Sequence, residues 1–262
     1  MATTYWLKFG DTPLGYNGKA LKTEYAPLQP GSARFEFPAG YTPITDPGTT
    51  PQWEWAQVSS TPNVWDVVFH NTSWAQCRYS NSQLNTDLRA ATALIDADCT
   101  GANLVDDTPS IDHGFCEYLG ITKAGNLYNV RGSIKRLFYG CASLESVKTI
   151  AGNITFANEA FRGCTSLKTA PSITSGGCTH FKSMFHGCTL LEAVPLYDTA
   201  SAINVDTMFQ KCTSVKSGAL ALYNQMAGQA TRPSTHIHCF YNCGSGTTSG
   251  AAELAQIPSD WK

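Results

Sequence analysis

Charge is scarce in this sequence. Only 15% of the residues are Asp, Glu, Lys or Arg, and 18 basic side chains stand against 20 acidic ones. Nucleic-acid recognition rests on clustered Lys and Arg, whereas the lysines between 135 and 216 stand singly, so no nucleic-acid partner is expected. Long apolar runs are missing too. No uninterrupted stretch approaches the ~18 residues of a membrane span, and no membrane insertion is expected. The opening "MATTYWLKFGDTPLGYNG" lacks the basic start and apolar centre of a secretion signal. The chain is therefore expected to be made in the cytoplasm. Tryptophan is absent from the long middle: Trp6, Trp53, Trp55, Trp65 and Trp74 precede residue 75, and Trp261 follows alone near the end. Nor is there a G-x-S-x-G elbow, a phosphate-cradling glycine loop or a calcium-loop spacing. The expectation is a non-enzyme with no catalytic residues, no cofactor and no metal.

What is present is repetition. "EAFRGCTSLKTAP" is echoed by "SMFHGCTLLEAVP", and at the same interval again by "TMFQKCTSV". Phe138, Phe161, Phe185 and Phe209 follow one another at a pitch of roughly 24 residues, within the range of known repeat units, and Cys141, Cys164, Cys188 and Cys212 keep that pitch. So do Leu144, Leu167, Leu191 and Val215. A degenerate copy, "CFYNCG", sets Phe240 and Cys243 in the same relation after a longer interval. A catalytic set is assembled once from dissimilar groups, whereas a repeated apolar set answers a stacking requirement. These fourteen positions are therefore read as structural. Gly140, Gly163 and Gly187 precede the cysteines and suit a left-handed turn, with Asn242 replacing Gly in the last copy. Lys211 breaks this pattern and predicts a differently turned coil.

A period of roughly 20 to 29 residues with leucine-like positions predicts a leucine-rich-repeat solenoid. The expected class is α+β: an N-terminal β-rich domain, then about five 23–24-residue coils with terminal caps. The expected divisions are a β-rich anchoring region over 1–50, a connecting region and N-terminal cap over 51–128, coils over 129–216, and the last repeat with a C-terminal cap over 217–262. "TYWLKFG" and "SARFEFPAG" alternate as strands do, "YTPITDPGTTPQW" reads as a connection, "STPNVWDVVFHNTSWAQ" offers a helix start, and "TDLRAATALIDA" has helix composition. "CTGANLVD" at Cys99 has the look of an eroded repeat. "SGALALYNQMAGQATR" is helix-like, and with "GAAELAQIPSDWK" it is expected to cap the array.

"AFRGCTSL" and "MFHGCTLLEAVPLYDTASAINVDTMF" resemble the BspA-type leucine-rich repeats of bacterial surface proteins, including proteins of gut Bacteroides and their bacteriophages. The resemblance covers the half from Asn129 to Lys262. It implies a binding or display scaffold without catalytic residues. The expected setting is a bacteriophage virion, as an exposed head fibre, tail or accessory protein. There the N-terminal region would contact other virion proteins or further copies of itself as a homo-oligomer, and the coils would face a host surface protein or glycan. A bacterial surface adhesin and a carbohydrate-active enzyme are the alternatives.

Three other constellations have both a chemical and a blander reading. His236, His238, Cys239 and Cys243 in "HIHCFYNC" include zinc-type donors, but the repeat register puts Cys239 at an apolar position. Asp96, Asp98, Asp106, Asp107 and Asp112 form an acidic neighbourhood that could flank a glycoside and reads first as solvated loops. Trp53, Trp55, Trp65 and Trp74 could stack sugars and read first as core. Of the ten cysteines, the periodic ones are expected to be buried, reduced packing residues, since free Cys buries readily; Cys77, Cys99, Cys116, Cys178 and Cys239 have no place in the row.

Overall fold

The strand "SARFEF", β1 (Ser32–Phe37), turns Ala33, Phe35 and Phe37 toward the core and sets Arg34 on the opposite face. This is the period of two that a pleated strand imposes. The computed structural model describes residues 25–49, 53–69, 82–99, 115, 117 and 119–262. Trp6, Trp74, Cys77, Cys116, Asp106, Asp107, Asp112, the segment "TYWLKFG" and all of "CTGANLVD" except Cys99 lie outside the described residues.

β2 (Trp53–Ser60) and β3 (Asn63–Phe69) make a hairpin closed at Thr61 and Pro62. The helix expected after "STPN" is therefore a strand. Pro62 occupies the turn, and the β-branched Val64 and Val67 behind it pack on the sheet. β1 pairs antiparallel with β3 on one side and with β4 (Ala93–Asp98) on the other. The short helix α1 (Ser82–Ala90) precedes β4 and buries Leu84 and Leu88. Its Asp87 is buried, and it accepts from the Tyr41 hydroxyl at 2.7 Å and the Ile44 N–H at 3.0 Å. Beyond β4 the pairing becomes parallel: β5 (Lys123–Ser133), then β7 (Thr149–Phe156) and β8 (Ser172–Thr174), with the two-residue β6 (Ser146–Val147) also on β5. The sheet order is β2-β3-β1-β4-β5-β7-β8. Past β8 only single parallel bridges continue the pattern, through His180, Asn204 and Thr235. α2 (Ala219–Ala227), α3 (Thr248–Gln256) and a final turn of 3-10 helix at Ser259–Trp261 close the far end.

This architecture corrects the expected fold class. The described residues form a mostly sheet protein, one mixed eight-stranded sheet with three short helices, and not a leucine-rich-repeat solenoid behind an N-terminal domain. The reason is the parallel pairing of β4 with β5, which carries the hairpin half into the repeats without a break. Phe35 packs edge-on to Phe115 at 6.0 Å, and Phe115 stacks on Phe138 at 5.2 Å, so a single core runs across both. β1 stands between β3 and β4, so deleting residues 1–45 would uncover Val67, Leu94 and Ala97. Loss of the cooperative thermal transition is the expected result by circular dichroism; a truncated chain that still melts cooperatively would show that the sheet closes without β1.

Candidate functional site

The phenylalanines stack. Ring centroids of Phe138 and Phe161 are 5.6 Å apart, Phe161 and Phe185 5.2 Å, Phe185 and Phe209 5.2 Å, and Phe209 and Phe240 6.2 Å. Each ring is fully buried, as are Cys141, Cys164, Cys188, Cys212 and Cys243 and also Leu144, Leu167, Leu191 and Val215. The row has a further member, because Phe115 lies one coil before Phe138 and Ile121 takes the place of Leu144. Only those two side chains of the motif survive in "GFCEYLGI", which is why the periodicity hides it. At the other end Trp261 continues the stack on Phe240 at 6.4 Å, and its carbonyl accepts the Phe240 N–H at 2.8 Å.

Cysteine serves this row better than alanine would. The thiols of Cys141, Cys164, Cys188 and Cys212 each donate to the carbonyl of the Phe one coil earlier, at 2.8, 3.0, 3.1 and 3.1 Å. All eight described cysteines are free. Burial pushes the Cys188 and Cys212 thiols far up and raises Cys178 and Cys243 to about 12. Since the thiolate is the reactive form, none of these four should take up iodoacetamide in the native protein at pH 8, and all should after denaturation. Peptide mapping checks this, and native labelling of Cys188 would refute it. Cys188→Ala removes a donor but leaves the Phe161 carbonyl bonded to the Cys164 N–H at 3.1 Å. A loss of about 1 kcal/mol is expected from chemical denaturation.

The backbone around each Phe is a chain of turns rather than a helix. Alternate N–H groups point at the next coil: Glu159 donates to the Lys182 carbonyl, Phe161 to Met184 and Gly163 to His186, at 2.9, 2.8 and 2.9 Å. The intervening groups close tight turns within the coil. Left-handed residues make this alternation possible. Two before each Phe they are Arg136, Glu159, Ser183, Thr207 and His238, with φ of 54 to 57°; two after, they are Glu117, Gly140, Gly163, Gly187, Lys211 and Asn242. Lys211, with φ of 62°, thus turns like the glycines it replaces. A Cβ added at the equivalent Gly187 would meet nothing within 4 Å, so only the backbone preference disfavours a side chain there.

Outside, the equivalent positions differ. Just after each Phe stand Tyr139, Arg162, His186, Gln210 and Tyr241; three before stand Lys135, Asn158, Lys182, Asp206 and Ile237. Arg136 and Arg162 lie on the Tyr139 ring, 5.5 and 5.9 Å from its centroid. Burial raises the carboxyl pKa of Glu159, but the Arg136 hydrogen bond at 2.7 Å and the charges of Arg136, Arg162 and Lys135 outweigh it and hold it below the usual value. Glu159 therefore supports folding at neutral pH, and that contribution fades as pH falls through its depressed pKa.

The other constellations disperse. His236 lies on Trp261 at 4.2 Å with Nε2 3.3 Å from Asp260, and His238 leans on Tyr241, while Cys239 and Cys243 are sealed in the core. Among the described residues no three His, Cys, Asp or Glu side chains are gathered as metal ligands would be. Asp96 accepts from the Asn126 N–H at 2.8 Å and its side-chain amide at 3.2 Å, and Asp98 accepts from the Asn129 amide at 3.1 Å. Both carboxylates tie β4 to β5. Trp53 and Trp55 are 1% and 8% exposed and form no sugar platform; Trp65 is half-buried and donates to Asn63. No family model matches the chain, and the searches of curated proteins and of solved structures returned no match.

Proposed function

We propose that this chain is a non-catalytic recognition protein, an exposed component of a bacteriophage particle that offers the turn surface of its stacked coils to a host surface or to another particle protein. The observation that carries the recognition reading is the contrast between inside and outside of one repeated unit. Interior positions repeat one side chain, as Phe138, Phe161, Phe185, Phe209 and Phe240 do, whereas the outward position next to them runs Tyr, Arg, His, Gln, Tyr. A frame that repeats its packing and varies its surface suits binding more than chemistry, because a catalytic set brings dissimilar groups together once. The particle setting rests on the resemblance of "FRGCTSL" and "FHGCTLL" to BspA-type repeats.

Purified particles test the setting. Mass spectrometry is expected to find the chain as a stoichiometric component, and outward substitutions such as Arg162→Gln are expected to spare incorporation while weakening attachment to cells. Particles lacking the chain would remove the setting. Outward substitutions that block incorporation and leave attachment intact would turn the coil surface into the part that holds the particle.

A further inference from the structure

Two rows of charge run along the coils, and they differ. Glu145, Lys168, Glu192 and Lys216 occupy one position in successive coils and alternate in sign, with Lys168 4.0 Å from Glu145 and Lys216 3.1 Å from Glu192. That row neutralises itself. The turn ridge on the Phe side does not: Lys135, Arg136, Arg162, Lys182 and Lys211, five cations, stand with Glu117, Glu159 and Asp206, and with Asp260 beside His236 at the far end, four carboxylates. Glu159 is shared between Arg136 at 2.7 Å and Arg162 at 3.9 Å, and Asp206 accepts the Ile237 N–H at 2.8 Å. Neither Lys182 nor Lys211 has an ion-pair partner among the described residues. His186, among them, is held below its ordinary pKa by burial and then by the charges of Arg162 and Lys211.

The second observation is in the backbone at the end of this ridge. In the earlier coils the N–H two residues before Phe is taken by the next coil: Arg136 donates to Asn158, Glu159 to Lys182, Ser183 to Asp206 and Thr207 to Ile237. The N–H two residues after is taken likewise, Gly140 by Arg162, Gly163 by His186, Gly187 by Gln210 and Lys211 by Tyr241. At the last coil the cap returns a single acceptor, the Trp261 carbonyl for Phe240. Among the described residues the N–H groups of His238 and Asn242 are left without one, on exposed residues with φ of 54 and 56°. Exposed N–H groups without a protein acceptor are free to donate to an anionic oxygen, and such charge-assisted hydrogen bonds are the stronger kind. Beside them Ile237 and Tyr241 are 60% and 41% exposed.

We infer that the turn ridge from Arg136 to Asn242 binds an acidic polysaccharide, its carboxylate or sulfate groups meeting Arg162, Lys182 and Lys211, and the N–H groups of His238 and Asn242 at the end. This deepens the recognition reading and rests on it. Successive coils repeat every 5.2 to 5.6 Å between Phe138 and Phe209, whereas an extended peptide brings carboxylates to one side only every ~7 Å and drifts out of register. A nucleic acid would bring phosphates to the same cations, and the oligonucleotide competitor below decides against it or for it. A pyranose chain carries one charged group per ring, and the exposed Tyr241 and Ile237 give a ring face an apolar seat.

The test uses the full chain with polygalacturonate and dextran sulfate as probes for the two charge types, neutral dextran as control, and polyglutamate and a single-stranded oligonucleotide as competitors. Binding of at least one acidic polysaccharide is expected, weakened by salt, with no binding of dextran. Arg162→Gln with Lys211→Gln should weaken it roughly tenfold, as two charge-assisted contacts are lost, while Lys168→Gln with Lys216→Gln should leave it unchanged. Tighter binding of polyglutamate or the oligonucleotide, equal losses in both double variants, or no binding of either polysaccharide overturns the inference. Cells bound through the coils without polysaccharide affinity would sink the inference and keep the recognition reading. Polysaccharide affinity in a chain that attaches to no cell or partner would do the reverse.

Discussion

Replacing Phe185 by alanine is expected to destabilise the protein by about 3–5 kcal/mol, the range for truncating a fully buried aromatic ring. Phe185 stands in the middle of the row with Phe161 and Phe209 each 5.2 Å away, and Tyr197 stacks on it at 6.0 Å. The Tyr197 hydroxyl is itself tied to the Pro171 carbonyl at 2.9 Å. The neighbours cannot slide into the gap, because each Phe sits between backbone hydrogen bonds that fix the coil spacing, such as Phe185 N–H to Met208 and Phe161 N–H to Met184. Urea denaturation should show a lower midpoint with an unchanged slope. A loss below about 1 kcal/mol would mean that the coils close over the missing ring, contrary to a spacing held rigid by those bonds.

Asp66→Ala is expected to cost a similar amount, about 3–5 kcal/mol, for an electrostatic reason. Arg34 is 5% exposed and lies opposite Asp66 in the β1/β3 register. Its Nε and Nη2 reach the two carboxylate oxygens at 2.6 and 2.7 Å, Nη2 also donates to the Ala26 carbonyl at 2.9 Å, and the guanidinium lies 5.0 Å from the centre of the Tyr25 ring. Removing the carboxylate leaves a nearly buried guanidinium with only the Ala26 carbonyl and the Tyr25 ring beside it. Arg34→Met combined with Asp66→Leu should recover most of the loss, because buried ion pairs add little over apolar packing. If Asp66→Ala proves as mild as an exposed pair, under about 1 kcal/mol, then Arg34 reaches solvent in solution.

The pitch of Phe, Cys and Leu is legible in the sequence itself, because a stack demands the same side chain once per turn. Lys211 shows where pattern reading goes astray. A broken glycine rule suggested a different turn, yet the backbone there is left-handed like its neighbours, since the hydrogen bond to the next coil dictates it and the side chain lies exposed. Phe115 was hidden for the opposite reason: its coil keeps the stacked ring and has lost most of the lettering. The tryptophans misled about organisation. Their clustering looked like a domain of its own, whereas Trp53 and Trp55 pack against the core that the repeats share.

By itself, then, the sequence determined the repeating unit, its length and its buried face, all set by constraints that recur within a single coil. Only the tertiary structure decided that β4 and β5 pair in parallel to make one sheet, that Arg34 meets Asp66 from a neighbouring strand, and that Arg162, Lys182 and Lys211 share a ridge ending at the unclaimed N–H groups of His238 and Asn242. Pairing register and the polarity of a backbone edge depend on which distant segment lies alongside. No local pattern in the chain encodes that neighbour.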